Sequence, residues 1–249
     1  MNQPQKPYRI TLIGESCYDV YRMGKVNRLN PEAPVPILDF GEQFERKGMV
    51  SNVDQNLFHL SCNTLLFTDF FEKKIRYLDM KTNHQILRED SKLQNIYELA
   101  YNHNMINCDA IVISDYNKGY VTYELIEKLR NKFNGPIFID TKKVDLQRFN
   151  GCFVKINENE FNQSTSHADN MIITYGAEKV VYRDKIFNPP KIENFDACGC
   201  GDTFLAFLTY GYLESQSMDY AIELAIKASA VTVQHLGVYA PFLSEINHG

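Results

Sequence analysis

The sequence predicts an α/β protein, and three observations predict it. Short apolar, β-branched runs alternate along the chain with longer segments whose apolar residues recur every three or four positions. The 249 residues are 44% hydrophobic and 23% charged, which supports a sizeable core and excludes a disordered, collagenous or disulfide-scaffold chain. No repeat, low-complexity tract or Gly/Ser linker divides the chain, so a single domain over residues 1–249 is expected.

The strands expected from the apolar runs are Tyr8 to Gly14, Val35 to Phe40, Asn63 to Thr68, Ala110 to Ser114, Pro136 to Asp140, Cys152 to Asn157 and Met171 to Thr174. Helices are expected over Val50 to Leu60, Leu93 to Met105, Thr122 to Phe133, Asp202 to Leu213 and Met218 to Leu236, with Ser217 capping the last. Ile75 to Met80 and His84 to Asp90 interleave apolar and polar residues around Lys81-Thr82-Asn83, as a half-exposed hairpin does. With Val35 to Phe40 it predicts a small β lid, inserted at about residues 16–46 and 74–90, over a cleft at the carboxyl edge of the main sheet.

Charge and composition narrow the function. With 26 Lys+Arg against 31 Asp+Glu the net charge is -5, so no basic field suits nucleic acid. The cysteines, at 17, 62, 108, 152, 198 and 200, form no C-x-x-C pair, which speaks against zinc and disulfides and for reduced thiols in the cytoplasm. The first residues are too polar for a secretory leader, and no apolar stretch reaches the ~18 residues of a membrane span. The six histidines are dispersed without an H-x-x-x-H pair, so metal or triad chemistry has little support.

Most informative is Asp196-Ala197-Cys198-Gly199-Cys200-Gly201-Asp202, followed by an apolar helix pattern. Two glycines around one small residue let main-chain amides turn toward a single point, and the helix adds its unpaired N–H groups and positive end. That is an anion cradle. Taken alone, a plain glycine turn with Asp202 as a helix-start acid fits equally well.

The segment resembles the signature of the ribokinase (PfkB) family of carbohydrate kinases, and the resemblance continues along the chain. Gly14 to Asp19 resembles the family's first strand and its sugar-gripping Asp. Arg28-Leu29-Asn30-Pro31-Glu32-Ala33-Pro34-Val35-Pro36, Arg76-Tyr77-Leu78-Asp79 and Gln85-Ile86-Leu87-Arg88-Glu89-Asp90 resemble the branch that phosphorylates heptose 7-phosphates. Ser114 to Gly119 and Asp140-Thr141-Lys142 resemble mid-sheet loops, while Asn157-x-x-Glu160 and Thr174-x-Gly176 fall at the magnesium-linked and nucleotide-side motifs. Three departures stand out. Met49 occupies a glycine position beside Gly48, Cys198 and Cys200 replace Thr and Ala, and the chain is compressed around residues 68–74 and 161–171.

The resemblance implies a ribokinase-like three-layer α/β/α sandwich with a mainly parallel sheet and a small β lid. It implies ATP- and Mg²⁺-dependent phosphoryl transfer to a hydroxyl of a sugar or sugar phosphate, best matched by a heptose 7-phosphate. Asp202 is then the catalytic base, and the amides of Gly199, Cys200 and Gly201 form the anion hole. Asp19, Asn52, Gly48 and Lys118 bind substrate, with Lys118 on a phosphate already present. Asn157 and Glu160 hold Mg²⁺ through water, and Thr174 and Gly176 lie on the nucleotide side. A homodimer through the lid is expected, as is the absence of nucleic-acid and membrane partners. The alternatives are a kinase of another sugar or nucleoside, and a catalytically inactive sugar- or nucleotide-binding protein of the same fold.

Overall fold

The computed structural model describes residues 7–192 and 196–246, which divide into two units. The first comprises residues 7–15, 49–69 and 96–246 of the described chain, and the second residues 16–48 and 70–95. The expected insertions, 16–46 and 74–90, fall within the second unit.

In chain order the strands are β1 Arg9–Gly14, β2 Ser16–Leu29, β3 Pro36–Met49, β4 Asn63–Phe67, β5 Phe70–Asp79, β6 Gln85–Lys92, β7 Ala110–Asp115, β8 Ile137–Thr141, β9 Phe153–Asn157, β10 Met171–Thr174, β11 Val180–Tyr182 and β12 Lys185–Phe187. The helices are α1 Val50–His59, α2 Tyr123–Lys132, α3 Glu158–Gln163, α4 Cys200–Ser215, α5 Met218–Thr232 and α6 Leu243–Ile246.

The first unit is built on a sheet of order β12-β11-β10-β9-β8-β7-β1-β4, parallel from β4 through β10 and closed by antiparallel β11 and β12. Its strands are apolar on both faces, as a covered parallel sheet requires. Ile10, Leu12, Val112, Phe138 and Ile172 share one core with Val53 and Leu57 of α1, Phe204 and Leu208 of α4 and Ile222 and Ala225 of α5. The alternate residues Ile13, Ile111, Ile113, Ile137 and Ile139 are equally buried. The chain leaves β1 toward β4 on one side and β7 on the other, so β1 and β7 flank the point where strand order reverses and ligands bind in such folds.

The second unit is a four-stranded sheet, β3-β2-β5-β6. The sequence pattern predicted only three of these strands. β2 escaped because its first nine residues are mostly buried on both faces and carry Asp19 and Arg22 among aromatics, which leaves no period of two. The hairpin itself is present, with β5 and β6 antiparallel and Asn83 at φ 57 in its turn.

Two helix expectations need correction. Leu93 to Met105 is not helical apart from the start of a 3-10 turn at His103–Ile106. Its main chain bonds outward instead, Leu93 N–H to Phe71 O at 2.9 Å and Leu99 N–H to Tyr120 O at 2.8 Å, and Asn102 caps the short turn. The last long helix stops at Thr232 rather than Leu236, because the Val233 carbonyl accepts from Asp196 N–H at 3.0 Å. The chain after Asn157 turns into the six-residue α3. Ser217 caps α5 as expected, accepting from Tyr220 N–H.

Candidate active site

The glycine-rich turn folds as its residues demand. Cys200 N–H closes a β-turn on Ala197 O at 3.3 Å, with Gly199 at φ 79, where an L side chain is strained. Asp196 pins the turn from behind. Its carboxylate accepts from Cys198 N–H at 2.9 Å and Gly237 N–H at 2.8 Å, tying the turn to the segment after α5. The first ladder bond of α4 is Thr203 N–H to Gly199 O at 2.9 Å, so the Gly201 and Asp202 amides precede the ladder at the positive end of the helix. The Cys200 amide, expected in the anion hole, is spent on the turn.

Asp202 lies in the first turn of α4 and is 5% exposed. Asn52 of α1 donates to its Oδ2 at 3.0 Å and Tyr116 to its Oδ1 at 3.3 Å. Two donors do not exhaust a carboxylate, which offers about four acceptor sites. Burial pushes the Asp202 pKa up to about 7, and nearby Asp140 adds to the rise, while the Asn52 bond, Lys155 and the Tyr116 bond pull it back. Asn52 is itself oriented by the same elements, donating also to Gly199 O at 3.4 Å.

Beneath the turn lies a buried ion pair. Lys155 of β9 donates to Asp140 of β8 at 2.6 Å, and a Cβ on Gly201 would sit 3.0 Å from Lys155 Nζ. Gly201 thus lets the main chain pass directly over the ammonium group. Burial drives the Asp140 carboxyl upward, and the Asp140 charge holds Lys155 above its ordinary value against the same burial. A cavity of about 340 Å³ opens against Cys200 and Gly201 and is also lined by Lys155, Thr174, Gly176 and Phe204. The two residues expected on the nucleotide side therefore share a cavity with the glycine turn.

The carboxyl ends of β1 and β7 hold a second network. Glu15 is fully buried and accepts from Tyr116 N–H at 2.9 Å and Lys118 N–H at 3.4 Å; burial, then Asp115, raises its pKa. Asp115 accepts from Thr141 at 2.7 Å and pairs with Lys143 at 3.3 Å. Lys143 is buried on Asp115, and the neighbouring Lys142 reaches Glu160 at 3.2 Å. Lys118 is brought to this strand end by its main chain.

Asn157 and Glu160 form a reciprocal capping box on α3. Glu160 N–H donates to Asn157 Oδ1 at 2.9 Å, and Asn157 N–H donates to Glu160 Oε2 at 2.8 Å. Among the described residues no group of three His, Cys, Asp or Glu side chains is placed to hold a metal directly. One carboxylate beside an amide does suit Mg²⁺, which keeps most of its waters and takes phosphate oxygens.

In the second unit Asp19 is buried, paired with Arg76 and approached by Cys17 Sγ at 3.6 Å. Gly48 is there by necessity, since a Cβ would fall 1.9 Å from Asp19 Oδ2. In the first unit Met49 holds φ 62 and ψ -133, a conformation suited to glycine, the residue that the sequence resemblance puts there. Sequence reasoning gave no role to Tyr116, Lys155 or Glu15. A Lys two positions before the Asn-x-x-Glu motif and a Tyr after a strand-end Asp were the available signals.

Comparison with known proteins gives three likenesses. Residues 154–245 match the family described as pfkB family carbohydrate kinase. The chain is 28% identical over 302 residues to the bifunctional protein HldE of Helicobacter pylori strain J99 and 29% identical over 303 residues to that of Helicobacter acinonychis, covering 96% of this chain in each case. It spans 65% of the length of those relatives. The structure of Arabidopsis thaliana ribokinase complexed with ribose and ATP superposes with a TM-score of 0.72 at 11% identity, covering 98% of both chains. Over residues 154–245, which include the glycine-rich turn before α4, the chain is similar to pfkB family carbohydrate kinases, and its fold is that of the ribokinase structure.

Proposed function

We propose that the chain transfers the terminal phosphoryl group of ATP to a hydroxyl of a sugar or sugar phosphate, with a heptose 7-phosphate as the leading candidate. The observation that carries this is Asp202, buried and oriented by Asn52 and Tyr116 in the first turn of α4, whose glycine-rich start borders an open cavity. Nucleotide in that cavity would present its phosphates to the start of α4 and to Lys155. The Gly199 and Gly201 amides would take charge from the transferring group, since phosphoryl transfer asks mainly for positioning and electrostatic stabilisation. The Cys200 amide serves the turn.

Asp202 would take the hydroxyl's proton at a free lone-pair position. With a pKa of about 7 it is a stronger base than a solvated Asp. Asn157 and Glu160 would hold Mg²⁺ through water, where the ion neutralises charge on the phosphates. Asp19 and Asn52 would accept or donate to sugar hydroxyls, and Lys118 would meet a phosphate on the sugar. The reading includes a cytoplasmic homodimer joined through the second unit's sheet.

A binding protein without turnover is the second reading, favoured by the strained Met49 and by the locked capping box. Asp202→Asn separates the two. The kinase reading expects turnover with MgATP and a sugar phosphate to fall at least about a thousandfold while ATP binding persists. Unchanged turnover would refute Asp202 as the base.

A further inference from the structure

Helix α1 carries two asparagines on its buried side, one turn apart and therefore on one face. Asn52 holds Asp202. Asn56 is fully buried, although asparagine is a poor residue for a helix interior. Its Nδ2 donates to the Asn52 carbonyl at 2.8 Å and lies 3.5 Å from Asn52 Oδ1. Among the described residues its own Oδ1 is buried without a hydrogen-bond partner. An apolar side chain of similar size would spare the fold that cost, so the reason for Asn56 lies at its donor end.

What that donor end does follows from the sense of two amides. Asn56 is fixed by the Asn52 carbonyl, since the reversed amide would set oxygen against oxygen. Its remaining N–H is then turned toward Asn52 Oδ1. This keeps the Asn52 NH2 group on Asp202 Oδ2, at 3.0 Å, and on Gly199 O, at 3.4 Å. The constraint matters because Asp202 titrates near neutrality. A protonated Asp202 donates, and a reversed Asn52 would offer it an oxygen and so store the proton. With Asn56 in place, the same reversal sets the Asn52 NH2 against the Asn56 NH2.

We propose that Asn56 is a positioning residue: it holds the Asn52 amide in the one sense that donates to Asp202, in both protonation states of that acid. The reaction that Asp202 serves rests on the kinase reading, whereas the coupling from Asn56 through Asn52 to Asp202 rests on these contacts.

Carbon-13 NMR of the side-chain carboxyls reads the coupling without turnover, the Asp202 signal being the one lost in Asp202→Asn. It is followed against pH in the full chain, in Asn56→Leu, Asn56→Thr and Asn52→Ala, and in Asn52→Ala combined with each Asn56 variant. Leucine removes both contacts, while threonine keeps a hydroxyl for the Asn52 carbonyl and has no second donor. Tyr116 after β7, Asp140 of β8 and Lys155 of β9 also face Asp202 and are unchanged throughout. The Asp202 midpoint should rise in both Asn56 variants by at least about half a pH unit, a roughly threefold change in proton affinity, because the Asn52 bond that lowers it is weakened. In Asn52→Ala the midpoint is already raised, and neither Asn56 substitution should move it further. The midpoint of the pH-rate profile should follow the same shifts. Lost stability with the NMR midpoint unmoved would overturn the inference, as would a shift of equal size on the Asn52→Ala background. If the NMR midpoint moves as expected and no sugar is ever phosphorylated, the coupling stands and the kinase reading falls. If a sugar is phosphorylated and both Asn56 variants leave both midpoints in place, the reverse holds.

Discussion

Asp202→Asn should change how stability depends on pH, and the size of the change follows from the burial of one carboxylate. Asp202 goes from an ordinary value of 3.8 to about 7 in the folded chain, chiefly through burial. Between those values the native state binds a proton that the unfolded state has released. The stabilising contribution of that proton is complete below about pH 4 and is lost as the pH rises through about 7. At about 1.4 kcal/mol per pKa unit, stability should fall by about 3 kcal/mol from pH 5 to pH 8. Asn cannot titrate, so this fall should vanish in the variant. Replacing an acceptor oxygen opposite the Asn52 amide adds an offset of roughly 1–3 kcal/mol, but one that does not vary with pH. Urea unfolding of both proteins at several pH values, at fixed ionic strength, gives the difference directly. A constant difference would refute the claim that Asp202 is buried as an acid poised near neutrality.

Four further outcomes are expected. Turnover should rise with pH through about 7, as Asp202 loses its proton, and level off above it; a pH-rate profile checks this. Gly199→Ala meets a left-handed φ of 79 and puts a Cβ 2.7 Å from Asn52 Nδ2, so it should cost at least about 1–2 kcal/mol in urea unfolding and lower kcat by loosening Asp202. Met49→Gly should be more stable than Met49→Ala by about 1 kcal/mol, reversing the usual order, because φ 62 with ψ -133 favours glycine. Lys155→Met strands the buried Asp140 carboxylate and should cost about 3–5 kcal/mol, with much of it regained in the double variant Asp140→Asn, Lys155→Met.

The parts of the fold legible in the sequence were those with one dominant period. β1, β7, β8 and β10 announced themselves as short apolar runs, α2 by its three- and four-residue apolar spacing, and α5 also by its cap Ser217. β2 was not legible, because its buried residues mix aromatic, charged and small side chains. The false helix over Leu93 to Met105 had suitable spacing, but its amides found partners at Phe71 and Tyr120, which no local pattern encodes. At the site, Gly199-x-Gly201-Asp202 was visible because the turn needs glycine at fixed positions. Tyr116, Lys155 and Asn52 reach the same place from three other elements, so their meeting is a property of the sheet order. Met49 was visible as a departure, and its φ of 62 gives the physical cost of that departure.

Incubation of the chain with MgATP and a panel of sugars and sugar phosphates, followed by mass spectrometry of the products, tests the central claim most directly. A phosphorylated product formed by the unaltered chain and missing with Asp202→Asn is the predicted result. ATP binding without any such product from the unaltered chain would contradict it.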